Sequence, residues 1–130
     1  MANLITTTLQ INGSNCFTAK IDIVGDGTGE AVAVKIIDHL LLNGAPATFK
    51  IRAIQWGTDG SFSSQLLWDA TADVFAYEIG LPNGGIRFSD TGAHLVNNAG
   101  AGRTGDLLLS TFGLNATSRG TIIVEGIHAE

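Results

Sequence analysis

Residues 49–79, FKIRAIQWGTDGSFSSQLLWDATADVFAYEI, decide how the rest of the chain is read. They hold both tryptophans and the single tyrosine. Phe49, Ile51 and Ala53 alternate with Lys50 and Arg52; the phase then slips so that Ile54 and Trp56 carry the apolar face, the mark of a β-bulge. Gly57–Ser61 reads as a turn, Ser63–Asp69 as the next strand, Asp69–Thr71 as a second turn and Ala72–Ile79 as a third strand. In that last strand Phe75, Tyr77 and Ile79 are expected to share one face, opposite Val74, Ala76 and Glu78. Trp68 follows Leu66-Leu67 within a strand and is assigned to the core.

Outward from this centre the pattern repeats. Residues 4–11, LITTTLQI, are β-branched and strand-prone, and Asn12-Gly13 follows as a turn signal. Residues 17–24 give the cleanest alternation, with Phe17, Ala19, Ile21 and Ile23 opposite Thr18, Lys20 and Asp22. Gly25–Gly29 is a turn; 30–37 is expected to be a strand covered on both faces, leading into a turn or short helix through His39 and Leu42. Leu81–Gly85 predicts a turn and Ile86–Phe88 a short strand. Residues 89–105 form a long, glycine-rich stretch, and 106–111 and 120–128 close the chain as strands. Short strands about ten residues apart, separated by glycine turns, predict one all-β domain over 1–130. The expected fold is an antiparallel β-sandwich or jelly-roll-like barrel of about eight strands with a long Gly-rich loop. The seventeen glycines are assigned to the turns.

Composition narrows the function classes. The chain is 45% hydrophobic but only 15% charged, against roughly 25% in an ordinary soluble domain. Surface spent on a partner or on copies of itself is one explanation; a Ser/Thr/Asn/Gly surface is the other. A net charge of −5, with seven basic residues scattered along the sequence, argues against nucleic acid binding. The lone Cys16 supports neither an internal disulfide nor a cysteine metal cluster. No signal peptide and no apolar run of membrane-spanning length is expected, so no membrane partner is predicted.

Several motifs invite chemistry. Asp90-Thr91-Gly92-Ala93 matches the signature of retroviral-type aspartic proteases, in which paired aspartates activate water. Ser89 precedes it where that family has an apolar residue, and the supporting apolar-apolar-Gly-Arg segment is missing, so a turn aspartate is preferred. Gly100–Asp106 lacks the Gly-Lys-Ser/Thr of a phosphate loop. Asp26, Thr28 and Glu30 lack calcium-loop spacing. His39, His94 and His128 share no ligand spacing. Trp56 and Trp68 would suit a sugar platform only if both were exposed. No catalytic residue, metal or cofactor is predicted.

The segment Leu66–Val74, LLWDATADV, together with Gly84–Thr111, resembles a family of small virion proteins of tailed bacteriophages. Its marks are a Trp-Asp-Ala-Thr corner and a glycine-rich stretch ending in Thr-Gly-Asp. Asp26–Glu30 and Ala53–Trp56 fit the same pattern, so the resemblance covers most of the chain. It implies a non-enzymatic structural protein on the capsid surface, made in the host cytoplasm. The implied role is a decoration or cement protein that binds the major capsid protein lattice between capsomers as a homo-oligomer. A neck or tail component is the alternative, and a carbohydrate-binding or adhesin module a further one. Candidate contact residues come from an N-terminal arm or first strand over 1–11 (Leu4, Ile5, Thr7, Leu9) and from the long loop (His94, Leu95, Asn97, Asn98, Arg103).

Overall fold

Alternation of apolar and polar side chains sets the inner face of each strand, and a computed structural model shows where those faces meet. It describes residues 4–27, 30–44, 46, 48–80, 82–88 and 94–129. In chain order the strands are β1 (Leu4–Asn12), β2 (Cys16–Val24), β3 (Val34–Ile37), β4 (Thr48–Thr58), β5 (Ser63–Trp68), β6 (Val74–Ile79), β7 (Asn83–Arg87), β8 (Leu107–Phe112) and β9 (Arg119–Ala129). A 3-10 turn, η1 (His39–Leu41), follows β3.

Two antiparallel sheets stack face to face, one ordered β1-β2-β9-β4-β7 and the other β3-β8-β5-β6. Strand β2 pairs with β9, β3 with β8, β4 with β7 and β5 with β6. A long hairpin folded over on itself produces that nesting, which is the jelly-roll arrangement. Strand β1 adds an outer strand beside β2.

The core lies between the sheets. Trp68 is fully buried and meets Phe49 edge-on at 5.4 Å; Phe49 meets Phe17 at 5.0 Å and 88°. Ile21, Ile23, Ile51, Ile54, Leu66, Leu107, Leu109, Ile122 and Val124 fill the space around this aromatic chain. The phase slip in β4 is a bulge: Ile51 stands opposite Gly126 and Ala53 opposite Glu125, leaving Arg52 as the extra residue.

Four expectations are corrected. The strand predicted over 30–37 is confined to 34–37, because Ala31 bonds instead to Thr111 through its carbonyl and its amide. The turn predicted over 81–85 is shorter, since Asn83-Gly84-Gly85 already pairs with β4; a Cβ on Gly84 would sit 3.0 Å from the Trp56 ring. The glycines do not all serve turns. Gly126, in mid-strand β9, leaves room for Phe17, whose ring atoms would lie 2.3 Å from an added Cβ, and Gly120 does the same for Phe62. Finally, a register shift in β6 at Ala76 takes Phe75 off the face of Tyr77 and Ile79 and turns it outward, 51% exposed. The Asp90–Ala93 motif, and Thr28 and Gly29 of the calcium-like turn, lie outside the described residues.

Candidate functional site

The sandwich is open along the flank where β1 of one sheet faces β3 of the other. A groove of about 460 Å³ lies there, lined by Ile5, Thr7 and Leu9 on one wall and by Ile36, Leu41 and Leu42 on the other. The Thr7 hydroxyl donates to the Ile36 carbonyl at 2.5 Å, which ties the walls together at one point. Asn12 holds η1 in place: its amide donates to the Leu41 carbonyl and its side-chain oxygen accepts from the Asn43 amide. Leu41 in the groove wall and the neighbouring Leu40 are more than half exposed; Leu4 and Ile11, also more than half exposed, register with Val24 and Thr18 on the outer face of the sheet. Of the predicted β1 residues, Ile5, Thr7 and Leu9 thus line the groove, while Leu4 does not. Sequence reasoning missed the groove's other wall, because β3 and η1 reach it only through the jelly-roll crossover.

The described part of the long loop, 94–105, packs elsewhere, against β4 and the Asp69–Thr71 corner. Leu95 exchanges two backbone hydrogen bonds with Ile51, at 2.9 and 3.0 Å, where β7 no longer covers β4. Its side chain is half-buried against the core, so it is committed to packing. Asn97 donates to the Thr48 hydroxyl, and Arg103 reaches the Asn97 carbonyl. His94 is half-buried, while Asn98 and Arg103 face solvent. The two motifs that carry the phage-protein resemblance interlock here. Thr104 bonds Asp69 through both its amide and its hydroxyl, the Asp69 amide donates to the Asp106 carbonyl, and the Thr71 amide donates to the Ala101 carbonyl. They are corner-forming residues.

Asp106 links this loop to η1. Its carboxylate is nearly buried, accepts from the His39 amide at 3.0 Å, and lies 3.2 Å from the Lys35 ammonium. The Asp38, His39 and Asp106 ligand atoms lie within 4.8 Å of one another, a trio that the spacing of the histidines did not reveal. His39 Nδ1 lies 2.8 Å from the Pro46 carbonyl, and Nε2 is 3.9 Å from Asp106. Donor types alone would suit a divalent cation. However, the Lys35 ammonium already stands between Asp106 and Asp38, 3.9 Å from the latter. A hydrogen bond to Asp106, with the attraction of Asp106 and then Asp38, holds the Lys35 pKa above its ordinary value. The cluster is therefore an internal ion-pair network with its cation supplied by the chain. The calcium-like turn is similarly spent: Glu30 accepts from the Thr111 hydroxyl and from the amides of Gly113 and Leu114.

The outer faces of the two sheets differ in character. Five of the seven basic residues, Lys20, Lys50, Arg52, Arg87 and Arg119, gather on the outer face of the five-stranded sheet, where the strands' acidic side chains among the described residues are Asp22 and Glu125. That face is positive on a chain of net charge −5, which corrects the reading of scattered charge. Arg52 pairs with Glu125 at 3.1 Å and Lys20 with Asp22 at 3.6 Å, so part of the charge is compensated internally. The outer face of the four-stranded sheet carries an apolar row. Leu108 stands opposite Leu67, and Leu67 opposite Phe75; Phe112, 49% exposed, lies nearby on β8. Trp56 is half-buried against Tyr77, with ring centres 6.0 Å apart, and borders a shallow hollow with Gln55, Gly85 and Thr121.

No family model and no curated protein matches the chain. Among solved structures it is similar to a cupin domain from Bordetella pertussis Tohama I, at 11% identity and a TM-score of 0.39, over 99% of this chain and 98% of that one. At that distance the likeness carries no inference about activity.

Proposed function

We propose that the chain is a structural protein of a tailed-phage virion that decorates the head by binding the capsid lattice, without catalytic activity. The observation that carries this reading is the placement of exposed apolar side chains on two separate flanks. One is Leu40 and Leu41 at the β1–η1 groove; the other is Phe75 and Phe112 on the outer face of the four-stranded sheet, beside the half-buried Leu67 and the buried Leu108. Two contact surfaces on a rigid sandwich suit a protein that must meet both a lattice and a neighbour. The resemblance at Trp68–Thr71 and Thr104–Asp106 supports the same reading, as do side chains there that hold corners together. In this account the apolar row is the lattice-facing surface.

Binding of the purified chain to emptied heads, followed by co-sedimentation, tests it. The intact chain should co-sediment, and Phe75→Asp should stay folded and remain in the supernatant. Failure of the intact chain to bind heads would remove the head assignment and favour the neck or tail. A second reading rests on Trp56, whose ring borders a hollow flanked by Gln55 and Thr121 and so offers a stacking face beside hydrogen-bonding groups. A glycan that shifts Trp56 emission would support an adhesin; Trp68, fully buried, takes no part.

A further inference from the structure

We infer that β1 pairs antiparallel with β1 of a second copy, joining two five-stranded sheets into one across a two-fold axis. The four sheet edges among the described residues are β1, β7, β3 and β6. Three carry the features that discourage strand addition. Strand β7 contains Gly84-Gly85 and ends on Arg87, β6 has a bulge and Glu78, and β3 is four residues long and carries Lys35. Strand β1 is nine residues long and holds no charge, no proline and no glycine. Its one irregularity lies between Leu9 and Ile11, near its end.

The sequence of β1 is self-complementary about Thr7. With Thr7 opposite Thr7 of the partner copy, Ile5 meets Leu9 on the groove side and Thr6 meets Thr8 on the outer side. The two grooves then become continuous, and apolar side chains that line them, Ile5, Leu9 and Leu41, leave water together. Charge permits this: the pairing strand is neutral, and the charged groups beside it, Lys20 with Asp22 on the strand behind and Lys35 with Asp38 in the groove wall, pair with each other. Two chains of net charge −5 can therefore approach here without local repulsion.

The pairing does not depend on which particle the chain belongs to, so its test is separate from head binding. Sedimentation of the intact chain should show a reversible dimer. Thr6→Lys places a lysine on the edge, yet opposite Asp22 of its own chain, so it should fold and sediment as a monomer. In a Cys16→Ser background, Thr7→Cys should give a disulfide-linked dimer on mild oxidation, whereas Ser63→Cys on the other sheet should not. A monomeric intact chain would overturn the inference. So would a dimer that survives Thr6→Lys, or one in which Thr7→Cys fails to cross-link.

Discussion

Gly126→Ala tests the packing logic of the core at a single atom. Gly126 lies in β9 opposite Phe17 of β2, and an added methyl would stand 2.3 Å from two carbons of the Phe17 ring. Ordinary carbon–carbon contact is about 3.5–4.0 Å, so the ring would have to retreat by more than about 1 Å. It cannot do so freely, because Phe17 is fully buried and its other side rests edge-on against Phe49. Overpacking of this kind costs roughly 1–3 kcal/mol. Removing a strand glycine returns about 0.5–1 kcal/mol. The net expectation is a loss of about 1–2 kcal/mol, read from urea unfolding followed by tryptophan fluorescence. Phe17→Leu trims the ring that clashes and should cost on the order of 1 kcal/mol alone. The double variant should be more stable than the sum of the two losses by at least about 0.5 kcal/mol. A neutral Gly126→Ala, or strictly additive losses, would refute the reasoning.

Three further predictions follow from the same geometry. Burial pulls the Glu30 pKa up, but hydrogen bonds from the amides of Leu114 and Gly113 and the hydroxyl of Thr111 outweigh it and hold the carboxyl below its ordinary value. A depressed folded pKa gives stability that is present above the unfolded pKa and lost as pH falls through the folded one. Glu30→Gln should therefore cost on the order of 1 kcal/mol at neutral pH and flatten the acid limb of a melting profile, with solvent screening keeping the effect small; an unchanged acid limb would contradict it. Zinc or magnesium should leave the Tm of the intact chain unmoved, because Lys35 already neutralises Asp106; Lys35→Met should lower the Tm and let a divalent cation restore part of the loss. Iodide should quench Trp56 and spare Trp68, so Trp56→Phe should abolish the quenchable fraction of the emission.

Much of the fold was legible because it rests on alternation. The clean pattern of 17–24 and the phase slip at Arg52 led directly to β2 and to the β4 bulge. What escaped reading depended on partners distant in sequence. Phe75 looked like a face-mate of Tyr77 until the shift at Ala76 turned it outward, and no local signal marks that shift. Gly126 looked like turn glycine, yet it answers a ring from a strand more than a hundred residues earlier. The candidate surface was half visible: Leu4, Ile5, Thr7 and Leu9 stood out as an uncharged strand, but Leu4 turns to the outer face, and Ile36, Leu41 and Leu42 join Ile5, Thr7 and Leu9 only through the crossover. The long loop drew attention by its length, and Leu95 shows why length alone misled, since the segment from 94 onward packs back onto β4.

Counting this chain against the major capsid protein in intact virions, by quantitative mass analysis, tests the central claim most directly. The account predicts a copy number in the hundreds, in fixed proportion to the coat subunits. A handful of copies would move the chain to the neck or tail, and its absence from the particle would contradict the account.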